Sequence, residues 1–399
     1  MSTRMRTRTT IAALAATTLI AVLPTGSAGT AAAAAPTRCA WTLMDTPGYD
    51  DYVYSVDAVS SRDVRFFGQT NANTTKVMLD WEGESVAVSD EQLPALPRFI
   101  PSTERQLSYD SADSGWFPMK LASPVPVLMR WTDGRWEPTP AAVSPNPRLT
   151  HPSILGMDSL SADEAWAVGS LEGFEAGVTG AMIQHWDGTE WRIVDNPAAT
   201  RPNAMLYDVS VASATNVWAV GQQRDAAHKI VPLIVHWDGT EWSEVPAPDG
   251  RSGWLNSVSA TGTGDVWTVG NAGPEYTDFA NLAMRYDGER WQTWTASTGL
   301  PDVGLAQLES VVATAPDDVW AVMTNLEVSQ EDILHWDGTR WETVTPHGAQ
   351  PPGAQLNYLD VDATGRGDVW AVGGMVNSTV GGLNVPTEAL VAHLSCGRR

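Results

Sequence analysis

The stretch "HWDGTEW" occupies residues 185–191 and returns letter for letter at 236–242, and "HWDGTRW" follows at 335–341. One phrase rewritten about fifty residues apart marks an internal repeat, and repeats of that length build solenoids, propellers or arrays. Asp-Gly between two alternating apolar runs is a hairpin signal, because glycine accepts the positive φ of a type I′ turn. Each copy is therefore expected to join a third strand, such as "LIVHWDG" (233–239), to a fourth, "TEWSEVPAP" (240–248). Upstream, the same unit offers "LYDVSVAS" (206–213) and "NVWAVGQ" (216–222), separated by a short turn. Alternating Val, Ile, Trp and Tyr between turn signals read as strands. Each unit is thus a four-stranded antiparallel meander.

The second-strand phrase recurs as "DVRFFG" (63–68), "SGWFPM" (114–119), "EAWAVG" (164–169), "NVWAVG" (216–221), "DVWTVG" (265–270), "DVWAVM" (318–323) and "DVWAVG" (368–373). Its third residues are Arg65, Trp116, Trp166, Trp218, Trp267, Trp320 and Trp370; they stand 51, 50, 52, 49, 53 and 50 apart, which makes seven units. Of the 19 tryptophans, 17 fall on the second strand, just before the hairpin or just after it; Trp254 and Trp294 are out of register. A ring recurring at one repeat position packs sheet on sheet rather than stacking on a ligand. Four of the seven histidines, His185, His236, His335 and His393, share one third-strand position, which reads as scaffold rather than ligand chemistry.

Seven meanders that cannot bury their faces alone predict an all-β fold, a seven-bladed β-propeller of four-stranded antiparallel blades. It is expected to fill residues 36–399 as one domain. The seventh unit runs "ALVAHLSCGRR" and stops where its fourth strand should start. The missing strand lies at the other end: "WTLMDTP" (41–47) matches "WRIVDNP" (191–197) position for position. The N-terminal strand is therefore expected to complete the last blade and close the ring. That closure brings Cys39 to Cys396, and a disulfide across so long a loop lies at the high end of what disulfides contribute, roughly 4–5 kcal/mol.

Residues 1–35 read as a secretory signal: Arg4, Arg6 and Arg8, then the apolar "IAALAATTLIAVL", then the small residues of "PTGSAGTAAAAAP". The apolar run is too short to span roughly 30 Å of hydrocarbon. The expected location is secreted, where disulfides persist. The formal net charge is −23, and −26 once Arg4, Arg6 and Arg8 leave with the signal. Such a chain repels phosphate backbones and anionic lipid, which argues against nucleic acid and membrane insertion. A monomer is expected.

With its repeated "WDGTEW" hairpins over about 38–399, the chain resembles bacterial secreted β-propellers of the kelch/galactose-oxidase-like and Asp-box (BNR) group. The resemblance implies a propeller fold; its members include hydrolases, lyases, oxidases, lectins and scaffolds. The chain departs from the Asp-box pattern S-x-D-x-G-x-T-W, because Asp and Gly are adjacent and the leading Ser is missing. It also lacks the double glycine of kelch blades.

The long, variable connections join second to third strands and successive blades, and they share one face. Function usually sits on variable loops held by a rigid scaffold. Loops from about 88 to 254 carry Arg98, Arg105, Arg148, Arg201, Arg224 and Arg251, with His151 and His228. The later loops hold acids such as Glu275, Asp278, Asp302 and Glu331 without Lys or Arg. This polarity suits a ligand with both charges, or a carboxylate gripped by arginines. Trp254, Phe174, Tyr276 and Phe279 are the loop-face aromatics available to stack on a sugar or to pack the loops. The ligand-binding candidates are accordingly Arg148, His151, Arg201, Arg224, His228, Arg251, Trp254 and Tyr276. On the innermost strands, Asp57, Asp158, Asp208, Asp360 and Asp362 stand ready to satisfy backbone N–H groups or, alternatively, to form a metal site or an acid/base pair.

No Gly-rich phosphate loop, G-x-S-x-G elbow or H-E-x-x-H sequence is present. His151, His228 and His347 sit on different blades, so no metal is assigned, and no cofactor is called for. The leading expectation is a secreted binding module for a glycan or extracellular protein partner. The alternatives are an extracellular hydrolase or lyase on carbohydrate or an acidic small molecule, and a structural scaffold in a cell-envelope assembly.

Overall fold

The structure, a computed structural model, describes residues 38–46, 52–70, 75–81, 83–90, 93, 107–119, 127–144, 151–172, 179–262, 264–275, 278–304, 306–324, 333–346, 355–380 and 383–397. The expected signal, 1–35, lies outside the described residues. Seven four-stranded antiparallel sheets form the blades of a closed ring. Blades 1 to 6 span residues 53–88, 108–140, 151–193, 205–244, 253–294 and 307–344 in chain order. Blade 7 takes its three inner strands from 355–397 and its outermost strand, Arg38–Leu43, from the N-terminal end. The register runs antiparallel from Arg38↔Gly397 through Cys39↔Cys396 and Trp41↔Leu394 to Leu43↔Ala392. Cys39 and Cys396 are disulfide-bonded with Cα atoms 4.0 Å apart, slightly nearer than the usual range of about 4.4–6.8 Å.

The second-strand tryptophan acts as a wedge between blades. Trp116 lies 4.9 Å from Trp186 and 5.0 Å from Trp191, the two rings that flank the hairpin of the next blade. Trp166 meets Trp237 and Trp242 at 5.3 Å each, and Trp267 meets Trp336 and Trp341 at 5.7 Å each. At the seam, Trp41 receives Trp320 and Trp81 receives Trp370. Each such aromatic pair adds about 0.5–1.5 kcal/mol beyond its buried area.

The histidine position follows from the same packing. His185, His236, His335 and His393 pair across strands with Trp166, Trp218, Trp320 and Trp370. Their ring centroids lie 3.7–4.3 Å from those indoles. Each Nε2 reaches the residue two before the tryptophan: Glu164, Asn216, Asp318 and Asp368, at 2.7–3.0 Å. Blade 5 substitutes Arg285, which donates Nε–H to Asp265 at 2.6 Å and covers Trp267. The Asp of "DVW" is thus the anchor of a cation or imidazole laid over the wedge.

The glycine closing "AVG" faces an irregularity in the first strand. In blade 4 the register shifts between Leu206 and Asp208, and a Cβ on Gly221 would run into the carbonyl oxygen of Met205.

Two expectations need correction. The type I′ turn holds in blade 2, where Asp133 (φ 52°) and Gly134 (φ 74°) lie between the paired Thr132 and Arg135. In blades 3 to 6 the last pairs are Trp186↔Trp191, Trp237↔Trp242, Tyr286↔Trp291 and Trp336↔Trp341, so the loop has four residues. The longer loop lets the Asp side chain cap it. Asp238 Oδ1 accepts the N–H groups of Thr240 (2.8 Å) and Glu241 (3.0 Å) and the Thr240 hydroxyl (2.6 Å). Glycine is still required, with Gly239 at φ 95°. The second correction concerns the long connections from second to third strands, which in blades 5 and 7 would make loops of about 271–281 and 374–388. Strands there continue through Val266–Glu275 and Asp278–Tyr286, and through Asp368–Val380 and Leu383–Gly397. In blade 7 the β-branched "MVNSTV" supplies the alternation that extends the pair.

Candidate functional site: the axial cavity and the long-loop face

A cavity of about 420 Å³ lies on the ring axis, lined by residues of all seven innermost strands or their approaches. Its polar wall is built by a rule. A side-chain acceptor on one blade takes the backbone N–H of the next. Asp57 accepts from Tyr109 (3.0 Å), Ser108 from Ser159 (2.9 Å) and Asp158 from Val211 (2.6 Å). Ser210 accepts from Ala260 and Ser259 from Ala313, both at 3.0 Å; Asp362 closes the circle by accepting from Ala58 at 2.7 Å. Blade 6 has Val312 at this position, which carries no acceptor. A second tier, two residues earlier, adds Ser55 to Leu107 N, Asp208 to Val258 N, Ser257 to Val311 N and Asp360 to Val56 N. The innermost aspartates therefore satisfy backbone donors, each on a neighbouring blade.

Among the described residues, the cavity wall carries Asp57, Asp158, Asp208, Glu309, Asp360 and Asp362, and no Lys, Arg or His. Burial pushes the Asp158 carboxyl up to about 7 despite hydrogen bonds from Val211 and Ser159. Burial likewise takes Asp362 to about 7, with Asp360 and Asp158 adding repulsion. Burial, and then the charge of Asp362, raises Asp57 well above the ordinary carboxylate range. Among the described residues no three His, Cys, Asp or Glu side chains converge as a metal site.

The loop-face candidates are dispersed. Arg148 and Tyr276 lie outside the described residues, and of His151 only the backbone, at the head of strand His151–Ser161, is described. Arg201 donates to Gln223 Oε1 at 2.5 Å and pairs with Glu244 at 2.6 Å, while Gln223 Nε2 donates to Glu244 Oε1 at 2.7 Å. Arg224 donates to the carbonyl of His228 at 2.7 Å, in a tight turn where His228 adopts φ 64°. Arg251 reaches Thr293 Oγ1 at 3.4 Å. Trp254 is 3 % exposed and packs edge-on against Phe279 at 5.6 Å, so its ring packs the first strand of blade 5 against the third. Arg201, Gln223 and Glu244 form one polar cluster. Sequence reading missed Gln223, Glu244 and the wall residue Glu309, whose signal was only their register on the second, fourth and first strands.

No helix among the described residues is long and apolar enough to cross a membrane. No protein-family model and no curated protein sequence matches the chain. Solved structures do. YCF48 bound to a D1 peptide superposes with a TM-score of 0.54 at 12 % identity, covering 89 % of this chain and 96 % of that one. YCF48 from Cyanidioschyzon merolae gives 0.54 at 14 %, covering 89 % and 98 %. The GH74 xyloglucanase from Xanthomonas campestris gives 0.50 at 12 %, covering 88 % of this chain and 55 % of that one. At these identities the likeness shows the fold, a seven-bladed propeller.

Proposed function

We propose that the chain is an exported, monomeric binding module that holds a glycan or an extracellular protein on its long-loop face. One observation carries this reading: the residues that repeat are committed to scaffold. The hairpin aspartates cap their own turns, the third-strand histidines lie on tryptophans, and the inner aspartates bind neighbouring blades. What varies between units is the long-loop face, where Arg201, Gln223 and Glu244 form a polar cluster at blade 4 and Arg224 holds the turn at His228. The disulfide fits export, and YCF48, of similar fold, binds a D1 peptide. Kinship with the kelch and Asp-box group belongs to this proposal and rests on the Asp-capped turns.

A glycan array probed with residues 36–399 tests the reading, followed by charge reversal of Arg148, Arg201 and Arg251 together. Loss of the bound signal with an unchanged circular dichroism spectrum is the expected result. An identified ligand that binds the triple variant undiminished contradicts the placement. The second reading, a hydrolase or lyase, draws on Asp158 and Asp362 held near 7, a value suited to proton transfer. Turnover of an array ligand by wild type, abolished in Asp158→Asn, would favour it over simple binding.

A further inference from the structure

We propose that the axial girdle is a proton-operated lock: protonation of its carboxyls tightens the grip of one blade on the next, and deprotonation loosens it. The geometry supplies both halves of the device. The first half is mechanical. Asp57, Asp158 and Asp362 each hold a backbone N–H of the following blade, so they are the joints between blades 1 and 2, 3 and 4, and 7 and 1. The second half is electrostatic. The charged groups facing the cavity are Asp57 from blade 1, Asp158 from blade 3, Asp208 from blade 4, Glu309 from blade 6, and Asp360 and Asp362 from blade 7. Blades 2 and 5 contribute Ser108, Asn256, Ser257 and Ser259, and among the described residues no blade contributes a cation.

Like charges facing one cavity hold on to protons: the charge of Asp362 adds to the rise at Asp57, and that of Asp360 to the rise at Asp362. Asp158 and Asp362 sit at about 7 and Asp57 is raised too, chiefly by burial. A protonated carboxyl still accepts the next blade's N–H through its carbonyl oxygen, more weakly than the carboxylate does, and the relief of burial and repulsion outweighs that loss. The sign follows from linkage. These groups bind protons more tightly in the folded ring than in the unfolded chain, where an aspartate titrates near about 3.9. Their contribution is complete below that value and is lost as pH rises through about 7. His236 and His393, whose basicity burial lowers, act in the opposite sense. They lie at the third-strand stacks, outside the cavity wall, and are common to wild type and girdle variants.

The test is the change in Tm between about pH 5 and about pH 8 for wild type, Asp158→Asn, Asp362→Asn and the double variant. Asparagine keeps one of the two acceptor oxygens, so the slope, not the absolute Tm, is the readout. The lock predicts a smaller pH-dependent loss of Tm in each single variant and the smallest in the double. Slopes equal to wild type overturn it. Should the variants fail to fold, infrared spectra of the wild-type protein decide. A protonated-carboxyl band at about pH 6 that disappears above about pH 8 supports the lock, and its absence at about pH 6 refutes it. Neither measurement uses a ligand, so their outcome is independent of the binding reading.

Discussion

Trp41, near the N-terminal end of the described chain, packs edge-on against Trp320 of blade 6 with ring centroids 5.4 Å apart. Trp320 is the wedge of blade 6, and in other blades that wedge meets a hairpin tryptophan of the following repeat. Here the following blade has none, because its outer strand is supplied from more than 270 positions upstream. One indole therefore does what a neighbouring repeat does elsewhere, and the ring closes through it.

Trp41→Ala should destabilise the protein by about 3–5 kcal/mol, the usual cost of emptying a tryptophan site, since Trp41 is 5 % exposed. Urea unfolding measures the change. The loss should show as faster proteolysis at the blade 6 to blade 7 seam, where an uncovered strand edge appears.

Gly367 sits at φ 72° beside the disulfide, and a Cβ there would press on the Cys396 sulfur. Gly367→Ala should lower the Tm through about 1–2 kcal/mol of backbone strain plus that collision. The same substitution in the reduced protein should cost less, which differential scanning calorimetry with and without reductant distinguishes.

The hairpin caps set the acid limit. The Thr240 hydroxyl and the N–H groups of Glu241 and Thr240 hold the Asp238 carboxyl down at about 2, and Asp187 and Asp337 behave alike. Groups so lowered stabilise the fold above the ordinary aspartate value, and their contribution is lost as pH falls toward 2. An acid titration followed by tryptophan fluorescence should therefore show unfolding below about pH 4. Asp238→Asn should lower stability at neutral pH and flatten the fall of stability with acid, so its transition midpoint should lie no lower in pH than that of wild type.

The fold was legible because a wedge must recur to do its work. Spacing located the tryptophans, and the absent fourth strand of the seventh unit located Trp41 and the Cys39–Cys396 pair. Turn type was less legible, since Asp-Gly is written identically in blades 2 and 4 and only the pairing of Thr132 with Arg135 separates them. The girdle was half legible. Asp158 could be read as a backbone acceptor, but Ser108 and Ser210 fill the same role in other blades, and no letter marks them. On the loop face, the partnership of Arg201 with Glu244 depends on an outermost strand meeting an interblade loop. Side chains so far apart in register leave no pattern in the chain.

The ring closure is tested most directly by mass spectrometry of the unreduced, trypsin-digested protein. The account predicts one linked species joining the peptide that starts at Cys39 to the peptide that contains Cys396, lost on reduction together with a drop in Tm of about 6 °C for a bond contributing roughly 4–5 kcal/mol. Two alkylatable thiols in the unreduced protein, at Cys39 and at Cys396, would contradict it.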